Sequence, residues 1–214
     1  VFSAQYNPDS TEIVTACGDA AIRVFNVETG DLKDTLTGHG DRVESAYYNN
    51  KGDKIVSASL DNTARVWNAK TGKCLHVLKG HTDSVTSANF SPDDKTIVSG
   101  SFDNTVRVWS VATGKCSHTL EGHSWWVKSV QFNPEGNTII SASSDETIRV
   151  WGKDKKGWTC VRIFGTHTGE VNCARYSPDS NYIVSASDDN TIKVWNLLSI
   201  TQRILAFSMS MKRP

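Results

Sequence analysis

Serine, histidine and aspartate recur together four times in this 214-residue chain. The sets are His39/Ser57/Asp61, His81/Ser99/Asp103, His123/Ser141/Asp145 and His167/Ser185/Asp189. Each histidine stands 22 positions before its aspartate, and each serine four before it. Such a trio could activate a serine oxygen for acyl transfer, with histidine as base and aspartate orienting it. That chemistry needs a free oxygen and oxyanion donors beside it. Fourfold repetition argues against it, because enzymes rarely keep four copies of one active site in a domain. The other two histidines, His76 and His118, each follow a cysteine by two positions (Cys74, Cys116). A Cys–His pair without two further ligands is a poor metal site, so neither metal nor cofactor is expected.

The same residues define the elements that must position them. Trp67, Trp109, Trp151 and Trp195 each follow an aspartate by six, and they are 42, 42 and 44 residues apart. Phe25, with Thr15 and Asp19, holds the same places one unit earlier. The chain thus divides into five units, 1–42, 43–84, 85–126, 127–170 and 171–214, within one domain. Each unit reads as four short strands rich in β-branched and aromatic residues. In the second unit they fall at 43–48, 54–58, 63–67 and 74–78. Turn chemistry separates them. Asn7-Pro8-Asp9, Ser91-Pro92-Asp93, Asn133-Pro134-Glu135 and Ser177-Pro178-Asp179 share one register, where proline pre-sets φ and Asn or Ser starts the turn. Residues Gln202 to Phe207 read as a last outer strand. An all-β unit that cannot bury both faces alone stacks on its neighbours around an axis, as in a β-propeller.

Gly38-His39, Gly80-His81 and Gly122-His123, together with the endings Arg65-Val66-Trp67, Arg107-Val108-Trp109, Arg149-Val150-Trp151 and Lys193-Val194-Trp195, carry a resemblance to the WD-repeat propellers over nearly the whole chain. The resemblance implies five four-stranded antiparallel blades. It also implies that each histidine, serine, aspartate and tryptophan set is a hydrogen-bonded network inside a blade: indole to hydroxyl, hydroxyl to imidazole, imidazole to carboxylate. The sequence departs from the family pattern in places. Asn68, Ser110, Gly152 and Asn196 stand where an aspartate usually follows the tryptophan, and Thr166 replaces the glycine before His167. WD-repeat proteins most often have seven blades, and the first unit has no histidine. A partial ring, completed by further blades or another chain, is therefore expected.

Function should lie where the units differ. One such set is the residue before each turn aspartate: Gly18, Leu60, Phe102, Ser144 and Asp188. The other is the pair before each first strand: Asp41-Arg42, Asp83-Ser84, Trp125-Trp126 and Gly169-Glu170. In a propeller both sets surround the channel mouth. Trp125 and Trp126, with Leu60 and Phe102, predict an apolar patch of the kind that marks partner sites. Arg42, Glu170 and Asp188 would supply a charged rim. The expected function is a non-catalytic scaffold for protein or peptide partners. A propeller enzyme is the first alternative. Binding of nucleic acid or lipid headgroups is disfavoured by 23 basic against 23 acidic residues. The basic segment Lys153-Asp154-Lys155-Lys156 reads as a solvated hairpin tip. No apolar run is long enough for membrane insertion. Five cysteines without a CxxC pair read as reduced thiols, which places the chain inside the cell, in cytoplasm or nucleus.

Overall fold

A computed structural model describes residues 1–155, 157–198 and 204–207. Among these residues there is no helix, and the strands form five four-stranded antiparallel sheets. The first sheet holds β1 (Ser3–Tyr6), β2 (Glu12–Ala16), β3 (Ile22–Asn26) and β4 (Leu32–Leu36). The second holds β5 (Val43–Tyr48), β6 (Lys54–Ser59), β7 (Ala64–Asn68) and β8 (Cys74–Leu78). The third holds β9 (Val85–Phe90), β10 (Thr96–Ser101), β11 (Val106–Ser110) and β12 (Cys116–Leu120). The fourth holds β13 (Val127–Phe132), β14 (Thr138–Ser143), β15 (Ile148–Asp154) and β16 (Gly157–Phe164). The fifth holds β17 (Val171–Tyr176), β18 (Tyr182–Ser187), β19 (Ile192–Asn196) and β20 (Ile204–Phe207). The sequence placed this last strand at 202–207; Gln202 and Arg203 lie outside the described residues.

Local sequence sets the first two of the three hairpin turns of every blade. At the first, Asn7, Asn49 and Asn133 accept the backbone N–H five residues on through Oδ1, and Ser91 and Ser177 do so through Oγ, at 2.9–3.0 Å. At the second, the residue after the turn aspartate is left-handed: Ala20, Asn62, Asn104, Glu146 and Asn190 have φ of 63–68°. Asparagine tolerates that conformation better than alanine or glutamate does. A β-bulge marks the start of the first strand in the second to fifth sheets, for example between Val43 and Ser45.

The core lies between sheets rather than at a centre. The first strands of successive sheets lie side by side. One cluster joins Val14, Ile22 and Val24 of the first sheet to Val43, Ala46, Ile55 and Trp67 of the second. Three further clusters repeat that pattern along the chain, each burying the tryptophan of one blade against the blade before it. At the fifth sheet the pattern stops. Val184 and Ile192 are 42% and 41% exposed, whereas Val14, Val56, Val98 and Ile140, and Ile22, Ala64, Val106 and Ile148, at the same registers, are fully buried.

Candidate functional site

Each histidine sits in the loop leading into a first strand, and each aspartate sits on the turn between second and third strands. The sheet brings the two loops to one end. There His39 Nδ1 meets Asp61 Oδ2 at 2.8 Å and Nε2 meets Ser57 Oγ at 2.7 Å, while Trp67 Nε1–H donates to the same Oγ at 2.8 Å. His81/Ser99/Asp103/Trp109, His123/Ser141/Asp145/Trp151 and His167/Ser185/Asp189/Trp195 repeat these contacts at 2.7–2.9 Å. The other carboxylate oxygen accepts the hydroxyl of Thr63, Thr105, Thr147 or Thr191. Every polar atom of the set therefore has a partner when the imidazole is neutral with its proton on Nδ1. The serine then accepts from the indole and donates to Nε2.

The electrostatics agree with that tautomer. Burial pulls His39, His81 and His123 below the ordinary imidazole range, despite the carboxylate beside each. Burial pushes Asp61 up, but hydrogen bonds from Thr63, Gly40 N–H and His39 outweigh it and hold the carboxyl at about 2. Asp103, Asp145 and Asp189 are likewise held well below the usual carboxylate range, burial again being outweighed by their hydrogen bonds.

The spacing admits trio chemistry, but the serines lie inside the blades. Ser57, Ser99 and Ser141 are fully buried, and Ser185 is buried as well. Ser141 shows the geometry: its Oγ lies on β14, 2.7 Å from His123 Nε2 and 2.9 Å from Trp151 Nε1. No substrate carbonyl can reach Ser141, because Val127, Val130 and Trp151 fill the interior around that strand. Ser57 and Ser99 on the strands before it, and Ser185 on the strand after it, are bonded on the same two sides. Their burial leaves none of them open to the substrate that attack would require. All four are interior members of a blade and take no part in a surface site.

Among the described residues no histidine pairs with Asp19 of the first blade. Thr15 donates to its own sheet, at Arg23 O, and Asp19 is half exposed and paired with Arg23 at 2.5 Å. Elsewhere the long cation two residues before the aromatic packs over the lead-in glycine. A Cβ on Gly38 would lie 2.8 Å from Arg65 Nη1, and one on Gly122 would lie 2.6 Å from Arg149 Nη1. Where Thr166 replaces that glycine, the cation is Lys193, whose Nζ donates to the Thr166 carbonyl.

The variable residues meet around the same end. Within each sheet the backbone N–H before the turn aspartate donates to the residue before the first strand: Leu60 to Arg42, Phe102 to Ser84, Ser144 to Trp126 and Asp188 to Glu170, at 2.9–3.0 Å. Between sheets the side chains touch. Phe102 stacks on Trp126 with ring centroids 4.3 Å apart and planes at 19°, and Trp125 tilts against Trp126 at 6.0 Å. Trp125 remains 52% exposed and Trp126 38%. Ser144 Oγ donates to Glu170 at 3.0 Å, and Lys128 pairs with Glu170. Asn172 Nδ2 bonds Asp188 at 2.5 Å. On the far side Arg42 donates to Glu44 at 2.5 Å and lies 4.5 Å over the Phe2 ring. Leu60 is half buried. The structure thus joins Phe102, Trp125, Trp126, Glu170 and Asp188 into one surface and leaves Arg42 apart from it.

Residues 30–68, 72–110, 114–152 and 158–196 match the family model of the WD domain, G-beta repeat. The chain belongs to the WD-repeat family. A comparison with curated proteins gives no match. WD repeats generally mediate protein–protein interaction, and proteins built of them are typically non-catalytic scaffolds.

Other residues of this WD-repeat chain spread over separate blades. Cys74, Cys116 and Cys160 are unpaired and exposed on three different outer strands. His76 and His118 stand on two of those strands. Among the described residues, no group of three or more His, Cys, Asp or Glu is placed to hold a metal. The hairpin β15–β16 carries Lys153 to Lys155 at its tip; Lys156 lies outside the described residues. The sequence reading missed a concave surface at the other end of the first strands. A cavity of ≈ 490 Å³ there is lined by Asn89, Gln131, Phe90, Phe132 and Tyr176 among others. Its only signal is that Asn89 and Gln131 share one register of the repeat and differ in identity.

Proposed function

We propose that the chain is a protein-interaction scaffold whose binding surface is the aromatic cluster at the mouth. The exposed Phe102–Trp126–Trp125 stack carries this reading. Two indoles half open to solvent stand where the equivalent positions hold Asp41-Arg42, Asp83-Ser84 and Gly169-Glu170, so the repeat itself does not require them there. Aromatic residues of this kind dominate binding energy at protein interfaces. The partner is a protein or peptide, and no cofactor is invoked. Reduced surface thiols fit an intracellular setting, in cytoplasm or nucleus. The double variant Trp125→Ala/Trp126→Ala tests the site. Partner capture should fall at least tenfold, since each hot-spot residue is worth about 2 kcal/mol or more. The thermal midpoint should hold, because both rings lie at the surface. Unchanged capture of every partner would remove this surface from the proposal.

A further inference from the structure

We infer that the segment docking on this aromatic cluster is basic, a peptide carrying a lysine or arginine beside an apolar side chain; the inference rests on the cluster being the binding surface. Charge complementarity selects this occupant. The chain as a whole is neutral, yet the pair before each first strand, the second residue of that strand and the residue before each turn aspartate hold Asp41, Glu44, Asp83, Glu170 and Asp188 against Arg42 and Lys128. Both cations are already used. Arg42 is bound to Glu44 and covers Phe2, while Lys128 is held by Glu170 and by Asn172 Oδ1 at 2.8 Å. Among the described residues no cation lies within ion-pair distance of Asp41, Asp83 or Asp188, and all three are exposed.

Two of these carboxylates bracket the aromatic stack. Asp83 precedes Ser84, whose carbonyl accepts the Phe102 N–H at 2.9 Å. On the other side, Ser144 bridges the stack to the acidic blade, donating its N–H to Trp126 O and its hydroxyl to Glu170. Asp188 follows through the backbone bond to Glu170. The surface is therefore an open π-face with unneutralised negative charge on both flanks. A cation over an indole is attracted by the ring's quadrupole, and arginine also stacks flat on it. An acidic segment would meet repulsion from Asp83 on one side and Asp188 on the other. The same charge pattern disfavours a nucleic-acid backbone.

A selection from random linear peptides decides the matter, run in parallel on the native chain and on Trp125→Ala/Trp126→Ala. Peptides that need the tryptophans should be enriched in Lys or Arg next to an apolar residue. Their affinity should fall as salt rises, through screening. In the native background, Asp83→Asn and Asp188→Asn should each weaken them roughly 2- to 5-fold, the range of one partly exposed charge contact. Tryptophan-dependent peptides that are neutral or acidic, or binding insensitive to salt and to both variants, would overturn the basic-segment inference and leave the surface intact. Selection of no tryptophan-dependent peptide at all would overturn both readings.

Discussion

The third and fifth blades are built from nearly the same sequence pattern, yet they live in different surroundings. Both carry the complete network, and in both the serine is buried: Ser99 bonds His81 and Trp109, and Ser185 bonds His167 and Trp195 at equivalent distances. Val98 and Val106 of the third blade are fully buried under the fourth, while Val184 and Ile192 of the fifth are open. The network therefore belongs to the single blade and the loop that leads into it. The apolar core belongs to the pair of blades. A repeat protein separates its energetics in this way, into terms within units and terms between neighbours.

The largest test of this contrast is a buried charge. Val98→Glu should cost about 3–5 kcal/mol, the penalty of an unpaired interior charge. Val184→Glu should stay within about 1 kcal/mol, because its side chain reaches water. Urea midpoints compare the two directly. An equal loss would show that the fifth face is covered in solution.

Within the network, Asp103→Ala should cost about 1–3 kcal/mol, since it strands a buried imidazole and three further donors, the Thr82 N–H and the N–H and hydroxyl of Thr105. Asp19→Ala in the first blade should cost under about 0.5 kcal/mol, because it breaks only an exposed ion pair. Equal thermal shifts for the two would mean that the third-blade network adds nothing to stability.

The pH dependence has a definite sign. His39, His81 and His123 titrate lower in the fold than free imidazole, so their neutral forms stabilise it fully above about pH 6.5 and that stability is lost as pH falls below it. Asp61 is held at about 2, below a free carboxylate, so its contribution is present above about pH 4 and is lost as pH falls toward 2. The denaturation midpoint should therefore drop in two stages on acidification. A rise between pH 7 and 5 would mean that the carboxylates keep the imidazoles charged in the fold.

The smallest effect concerns the left-handed turns. Glu146 occupies the position where Asn62, Asn104 and Asn190 stand in the other network blades. Glu146→Asn should stabilise by roughly 0.5–1 kcal/mol, the part of the left-handed penalty that asparagine avoids. Asn104→Ala should lose a similar amount in a parallel melt.

The blade architecture was legible in the residues because its signals are periodic and local. The tryptophans at 42-residue spacing, the Asn/Ser-Pro turns and the Gly-His pairs each repeat a contact that closes within one blade and the loop leading into it. The second-blade strands shifted by at most one residue, 63–67 in the sequence against Ala64–Asn68 in the structure. The mouth was legible only as a list of variable positions. Nothing in the spacing told whether Trp126 would fold back on the neighbouring blade or stand free. It does both, stacking on Phe102 while keeping 38% of its surface open. The isolation of Arg42 had no sequence signal, because its partners Glu44 and Phe2 come from different blades.

The sequence by itself determined what depends on short-range chemistry: the strand count per unit, the turns, and the residue types able to satisfy one another around each serine. The tertiary structure decided what depends on the next blade. It buries Val98 and exposes Val184 at the same register, and it brings Phe102 onto Trp126 beside unpaired carboxylates. Hydrogen bonds within a unit follow from fixed backbone geometry. Burial and surface charge follow from which unit packs alongside, and identical repeats carry no record of their neighbours.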